Sequence, residues 1–204
     1  MDPSKPGFSL IFGCMSRNDL TWQYCACHPS AVEVVQHFCG PDIIAGEAVC
    51  SRLPPGAPAG GLHKDCAQDF VNGHPDTQCC WGVNGIWMLT DFTEENGATH
   101  VGAQRSRMCV GVLWPHEVLS VVAAAVPGSH KSPADSSEYA GAPSVPIVGE
   151  AGDVFFWHMG VSHRSGANKT APGTPPRVGF NSGFGLSLSL SRARARSLSI
   201  SLSF

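Results

Sequence analysis

Apolar residues in this chain come in short runs bounded by glycine- and proline-rich turns, not in the long 3.6-period stripes of a helical bundle. LPPGAPAGG at 53–61 is a loop, from which Leu62–Asp65 enters a strand. Gly82–Phe92 is a second strand, closed by the turn Glu94-Glu95-Asn96-Gly97. Val145–Val148 and Val154–Trp157 are two more, separated by the polar turn Gly149-Glu150-Ala151-Gly152-Asp153, and Arg177–Phe184 follows. The 23 Gly and 16 Pro supply the turns such a pattern needs. Only Ser30–Cys39 has helical spacing, with Val32, Val35 and Phe38 on one face, a start at His28-Pro29-Ser30 and a stop at Gly40-Pro41. Strands do not alternate with helices, so a TIM barrel or Rossmann fold is excluded and a mainly β sandwich or barrel is predicted.

A chain of 204 residues buries one substantial core. The division expected is an N-terminal flanking segment with a short helix (1–52), a catalytic core (53–184) and a low-complexity tail (185–204). In that tail LSLSLSRARARSLSISLSF has the alternations that translated dinucleotide repeats produce. The net charge of −3 and the absence of a basic cluster argue against nucleic acid as a partner. No apolar run has the length of a membrane span, and Gly7–Gly13 is too short for a signal-peptide core, so the expected location is intracellular and cytoplasmic. The nine cysteines contain no pair of CxxC motifs and are expected to be reduced, partly buried small hydrophobes.

Leu62-His63-Lys64-Asp65 places two metal-ligand types one residue apart, so on a strand they leave the same face. A metal that must also bind a bidentate oxo acid and O₂ needs a protein that fills only three sites on one face, and two imidazoles with one carboxylate do this. His158 and His163 are both placed to supply a second imidazole from a distant strand. His74, His100, His116 and His130 have no ligand-like context.

HxD at 63–65, ENGAT at 95–99 with PGSHK at 127–131, Gly152-Asp153 leading into VFFWH, H-x-S-G-x-N at 163–168 and the following Arg177 occur in one order. Together they resemble the phytanoyl-CoA dioxygenase family, from about Leu53 to Phe184. The resemblance implies a double-stranded β-helix, a jelly-roll or cupin-like barrel with a few flanking helices. It implies Fe(II) held by His63, Asp65 and His163, with His163 preferred over His158. Arg177 would pair the far carboxylate of 2-oxoglutarate, and Ser165 would add a hydroxyl to it. The implied activity consumes O₂ and 2-oxoglutarate, releases succinate and CO₂ and hydroxylates a small organic or lipid-like substrate, with ascorbate in support. The expected partner is that small molecule, and the expected state is a monomer.

Trp87 stands one place after a position where many family members carry an aromatic residue near the cosubstrate, and Ile86 fills that position here. One place on a strand reverses the face, so Trp87 is expected to pack away from the site. Phe155, Trp157 and Phe180 are candidates for its wall.

The chain departs from the family in two places. Gly102–Ala125 reads as an insertion, because joining Val101 to Val126 gives the uninterrupted ENGATHVVPGSHK, and the tail replaces what usually follows the Arg strand. Two rival readings follow: a non-catalytic member that keeps the barrel, and a cupin-like metalloenzyme that does not use 2-oxoglutarate. Arg177 and H-x-S-G-x-N speak against the second.

Overall fold

The structure is a computed structural model that describes residues 7–17, 20–63, 65, 82–102, 113–114, 144–159, 161 and 163–186. Nine strands are present among them: β1 (Ser9–Ile11), β2 (Ile43–Leu53), β3 (Gly82–Met88), β4 (Thr99–Gly102), β5 (Leu113–Trp114), β6 (Ser144–Pro146), β7 (Val154–His158), β8 (His163–Ser165) and β9 (Arg177–Leu186). They form a six-stranded sheet in the order β1-β2-β9-β3-β7-β5 and a three-stranded sheet in the order β6-β4-β8, with antiparallel neighbours throughout. The two sheets close over a shared core, giving the double-stranded β-helix.

Period-2 alternation decides what each face does. On the inner face of the large sheet Ile86, Met88, Phe155 and Trp157 meet Val101 of the small sheet, with Phe92, Ala98 and Ile147 beside them. The outer face carries Val83, Val154, Phe156 and Phe184, which would be exposed without cover. The helix α2 (Pro29–Cys39) supplies that cover with Ala31, Val35 and Cys39, all buried. This stripe differs from the predicted Val32-Val35-Phe38: Val35 is shared, Phe38 packs at its edge, and Val32 is half-buried. As expected, proline opens the helix and Gly40, at φ 84°, ends it.

Three of the upstream elements were not anticipated. The helix α1 (Leu20–Ala26) spans seven residues, and Leu20 and Tyr24 are exposed, so no apolar period marks it. It is held through Trp22, whose ring lies 5.0 Å from that of Phe180 on the outer face. Strand β2 lies between β1 and β9, so the large sheet begins upstream of the loop at which the sequence reading opened its barrel. Gly7–Gly13, read only as a short apolar stretch, contributes β1 at the sheet edge.

Most of Gly102–Ala125, together with PGSHK and residues 187–204, lies outside the described residues. Leu113–Trp114 adds a two-residue edge to β7. The described cysteines Cys14, Cys25, Cys27 and Cys50 are free thiols, and Cys14, Cys39 and Cys50 are buried.

The loops around the small sheet are fastened by the motifs that the sequence singled out. Asn168 Nδ2 donates to the Leu53 carbonyl at 2.9 Å, and its Oδ1 accepts from the Thr170 hydroxyl at 2.6 Å. Backbone bonds Gly56 N to Asn168 O and Asn168 N to Ala57 O tie the Pro/Gly loop to the end of H-x-S-G-x-N. In ENGAT, Asn96 Oδ1 accepts from Thr93 N–H, which builds the turn that Gly97 completes at φ 84°. A Cβ on Gly97 would collide with the Leu53 side chain and the Gly166 carbonyl.

Gly97→Ala therefore meets both a left-handed backbone and a filled space. The substitution is expected to lower stability by roughly 2 kcal/mol, or about 4–8 °C in Tm, measured by thermal melting against the parent chain.

Candidate metal centre

Residues 62–65 were predicted to be a strand; the described part is a single antiparallel bridge, His63 opposite His163. The two residues exchange both backbone hydrogen bonds, His63 N to His163 O at 3.0 Å and His163 N to His63 O at 2.9 Å. Residues so paired carry their side chains on the same face. The imidazole centroids are accordingly 4.4 Å apart. Asp65, two residues beyond His63, returns to that face and is held by its own N–H to the Met159 carbonyl at 3.2 Å.

The three side chains converge. Asp65 Oδ1 lies 3.4 Å from His63 Nε2, and Asp65 Oδ2 lies 3.2 Å from His163 Nε2. One ligand atom from each of the three residues falls within 4.8 Å of the others. Each imidazole is oriented by a carbonyl two residues earlier: His63 Nδ1 to Gly61 O at 2.9 Å, and His163 Nδ1 to Val161 O at 3.0 Å. A ring nitrogen bonded to a carbonyl carries a proton, so Nε2 of both rings is the atom turned toward Asp65 and the one available to a metal.

Electrostatics follow from this geometry. Burial pushes the Asp65 carboxyl up, but hydrogen bonds with His163 and His63 outweigh it and hold the group well below the usual carboxylate range. The His63 pKa is raised, chiefly by its bond to Asp65, against the opposing effect of burial. A carboxylate ionised across the physiological range beside two inward ring nitrogens suits a divalent cation that keeps open positions.

The triad lines a cavity of about 240 Å³. Arg177, the first residue of β9, points inward from the large sheet and is only 2% exposed. Its Cζ lies 4.4 Å above the Phe92 ring, and Nε and Nη1 have no hydrogen-bond partner among the described residues. Burial lowers its pKa to about 10, so the guanidinium is still charged at neutral pH. Ser165 lines the same cavity, and its Oγ accepts from Gly60 N–H at 3.2 Å. A buried cation with unused N–H groups in a pocket that also holds a carboxylate-and-imidazole triad fits an anionic ligand reaching from one to the other.

The remaining site expectations sort by face. Ile86 lines the cavity, and Trp87 packs outside against the His28 ring at 5.7 Å. Of the three proposed wall aromatics, Trp157 lines the cavity, edge-on to His163 at 5.1 Å. Phe155 is in the inner core and Phe180 is on the outer face beneath Trp22, so neither walls it. The His158 side chain, His74, His116 and His130 lie outside what the structure describes, and His100 bonds Ser144 Oγ at 3.1 Å. Sequence reasoning missed Asn84, whose Nδ2 donates to Asp65 Oδ2 at 2.5 Å, and missed Phe8 and Leu10, which border the cavity from the β1 segment. An amide in the inward, otherwise apolar row of β3 was the available signal for Asn84.

Residues 123–174 match the sequence profile of the phytanoyl-CoA dioxygenase (PhyH) family, a segment that includes the Gly-Asp strand, His163 and H-x-S-G-x-N. Dioxygenase af480 of Aspergillus fumigatus is 27% identical over 172 residues, which are 83% of this chain and 46% of that protein. The chain thus spans a little under half the length of that relative. Among solved structures, HygX from Streptomyces hygroscopicus, with nickel, 2-oxoglutarate and hygromycin B bound, aligns with a TM-score of 0.62 at 14% identity, covering 92% of this chain and 73% of HygX. The non-heme alpha-ketoglutarate-dependent carbocyclase SnoK from nogalamycin biosynthesis aligns at 0.61 with 17% identity, covering 89% and 64%. The epimerase SnoN in complex with Fe³⁺, alpha-ketoglutarate and nogalamycin RO aligns at 0.59 with 17% identity, covering 88% and 63%. The chain thus resembles the phytanoyl-CoA dioxygenase family over residues 123–174, and its double-stranded β-helix is the fold it shares with these solved structures.

Proposed function

We propose that the chain is the core of an iron(II)- and 2-oxoglutarate-dependent oxygenase acting on a small organic molecule. The observation that carries this reading is the pairing of a His63–Asp65–His163 triad with the buried, unpartnered Arg177 in one cavity. His63, Asp65 and His163 would hold the iron, and Arg177 with Ser165 would bind the far carboxylate of the cosubstrate. When bound, iron and 2-oxoglutarate supply the oxidising chemistry, in which the oxo acid is converted with O₂ to succinate and CO₂ and a substrate C–H bond is hydroxylated.

The chain's own groups bind, orient and exclude water. Asp65 contributes the only carboxylate of the triad, and the carbonyls of Gly61 and Val161 hold the two rings with Nε2 directed inward. The Phe92 ring under the guanidinium removes water from one face of Arg177, so that a carboxylate meets it largely desolvated. Phe8 and Leu10 at the mouth offer an apolar surface to the substrate. The molecules bound to HygX and SnoN, hygromycin B and nogalamycin RO, favour a small organic substrate over an acyl-CoA thioester. The absence of a basic cluster agrees with that preference.

Purified protein with Fe(II), ascorbate and 2-oxoglutarate should form succinate, with a panel of candidate small molecules stimulating it. Absence of both succinate formation and metal binding would overturn the proposal. Asp65→Ala removes the one anionic ligand and is expected to abolish metal binding in a Ni(II) titration.

Arg177→Gln is expected to leave Ni(II) binding in place and to raise the 2-oxoglutarate requirement by about 100-fold, since the lost charge-assisted pair contributes on the order of 3 kcal/mol. An unchanged requirement would remove Arg177 from the cosubstrate site.

Metal affinity should also depend on pH. A proton on His63 Nε2 competes with the ion, and the raised His63 pKa places that competition above the ordinary histidine value. Affinity is therefore expected to tighten as pH rises through that range and to level off above it, as read by Ni(II) titrations at a series of pH values.

A further inference from the structure

We propose that Asn84 is a positioning residue that holds Asp65 by one oxygen, so that the carboxylate presents the other to the metal; this rests on the metal-site reading above. Asn84 sits at the middle of β3, opposite Trp157 on one side and Gly183 on the other. It is 8% exposed and shares the inward face with Ile86 and Met88, both buried and apolar. A polar side chain in such a row is costly unless it is satisfied, and its Nδ2 is satisfied by Asp65 Oδ2 at 2.5 Å.

The bond adds a side-chain link to a backbone one that runs through Met159, whose carbonyl accepts from Asp65 N–H and whose N–H donates to Gly82 O at the start of β3. Asp65 belongs to the segment anchored by the His63 bridge and by its own N–H to Met159 O. Asn84 belongs to the central strand of the large sheet, which is paired along both edges. The amide therefore ties the triad's carboxylate to the most constrained part of the barrel.

The choice of oxygen matters. Oδ2 receives the Asn84 amide and faces His163 Nε2, whereas Oδ1 faces His63 Nε2 at 3.4 Å. With Oδ2 occupied by an N–H donor, the carboxylate is disfavoured from closing on an ion through both oxygens. One coordination position is thereby kept for a ligand other than protein. Partners that orient a ligating group typically change metal affinity by about 10–100-fold when removed.

The test compares Ni(II) affinity and metal-free melting temperature for the parent chain, Asn84→Ala, Asn84→Leu and a packing control, Met88→Ala, from the same inward row. Co(II) visible spectra of the loaded proteins report the coordination directly. Asn84→Ala and Asn84→Leu are expected to lose about 10–100-fold in Ni(II) affinity and to shift the Co(II) bands. Met88→Ala is expected to melt lower with affinity and spectrum unchanged. Asn84→Gln, which keeps the amide on a longer stem, should recover part of the affinity. Parent-like affinity and spectrum in both Asn84→Ala and Asn84→Leu would overturn the proposal. An affinity loss in Met88→Ala matching theirs would overturn it too, by showing a general packing effect. If the parent itself binds no Ni(II), the metal-site reading fails, and that outcome is distinct from failure at Asn84.

Discussion

The two backbone hydrogen bonds exchanged by His63 and His163 are the interaction on which the candidate centre depends. They fix register, and in a pleated sheet register decides which face a side chain takes. A slip of one residue would turn His63 and Asp65 away from the cavity together, because the two share a parity. His163 is in turn held in place by β4, where it pairs with Val101, a residue buried in the inner core. The triad thus inherits its position from hydrophobic packing several ångströms away.

Arg177 shows what the site costs the fold. A guanidinium that is nearly inaccessible, with two nitrogens unpartnered, is unfavourable in a folded protein by itself. It is held there by β9, which pairs Arg177 with Leu53 of β2 and continues from Gly179 along β3. The Phe92 ring supplies some compensation through its negative face. On the proposed reading, a ligand carboxylate would supply the rest.

The outer layer performs a different task. Both faces of β3 and β7 carry large apolar side chains, and β9 adds Phe180 and Phe184 on the outer one, which the inner core cannot bury. The helices α1 and α2 cover the outer face, so a segment upstream of every recognised motif is needed to make the motif-bearing strands buried on both sides. The same upstream segment bends round the sheet edge as β1, and brings Phe8 and Leu10 to the cavity mouth.

Sequence alone determined the strand-rich class, because short apolar runs between glycine and proline turns leave few other ways to bury a core. It also determined the HxD pair on one face, the change of face between Ile86 and Trp87, and the residues that the family resemblance marks, since each of these depends on spacing of a few residues or on an ordered motif. Tertiary structure decided the rest. Nothing in the spacing of 100 residues between His63 and His163 says that the two are cross-strand partners, and nothing local to Arg177 says that Phe92 lies beneath it. Asn84 and Asp65 are 19 residues apart and on different elements, so their bond exists only once the two sheets have closed. The helix α1 and strand β2 carried no clean period because their exposed and buried residues are set by neighbours that arrive from the far end of the chain. Local chemistry chose the ligand types, and long-range pairing chose which of them meet, because side-chain direction in a sheet is a property of register and not of any one strand.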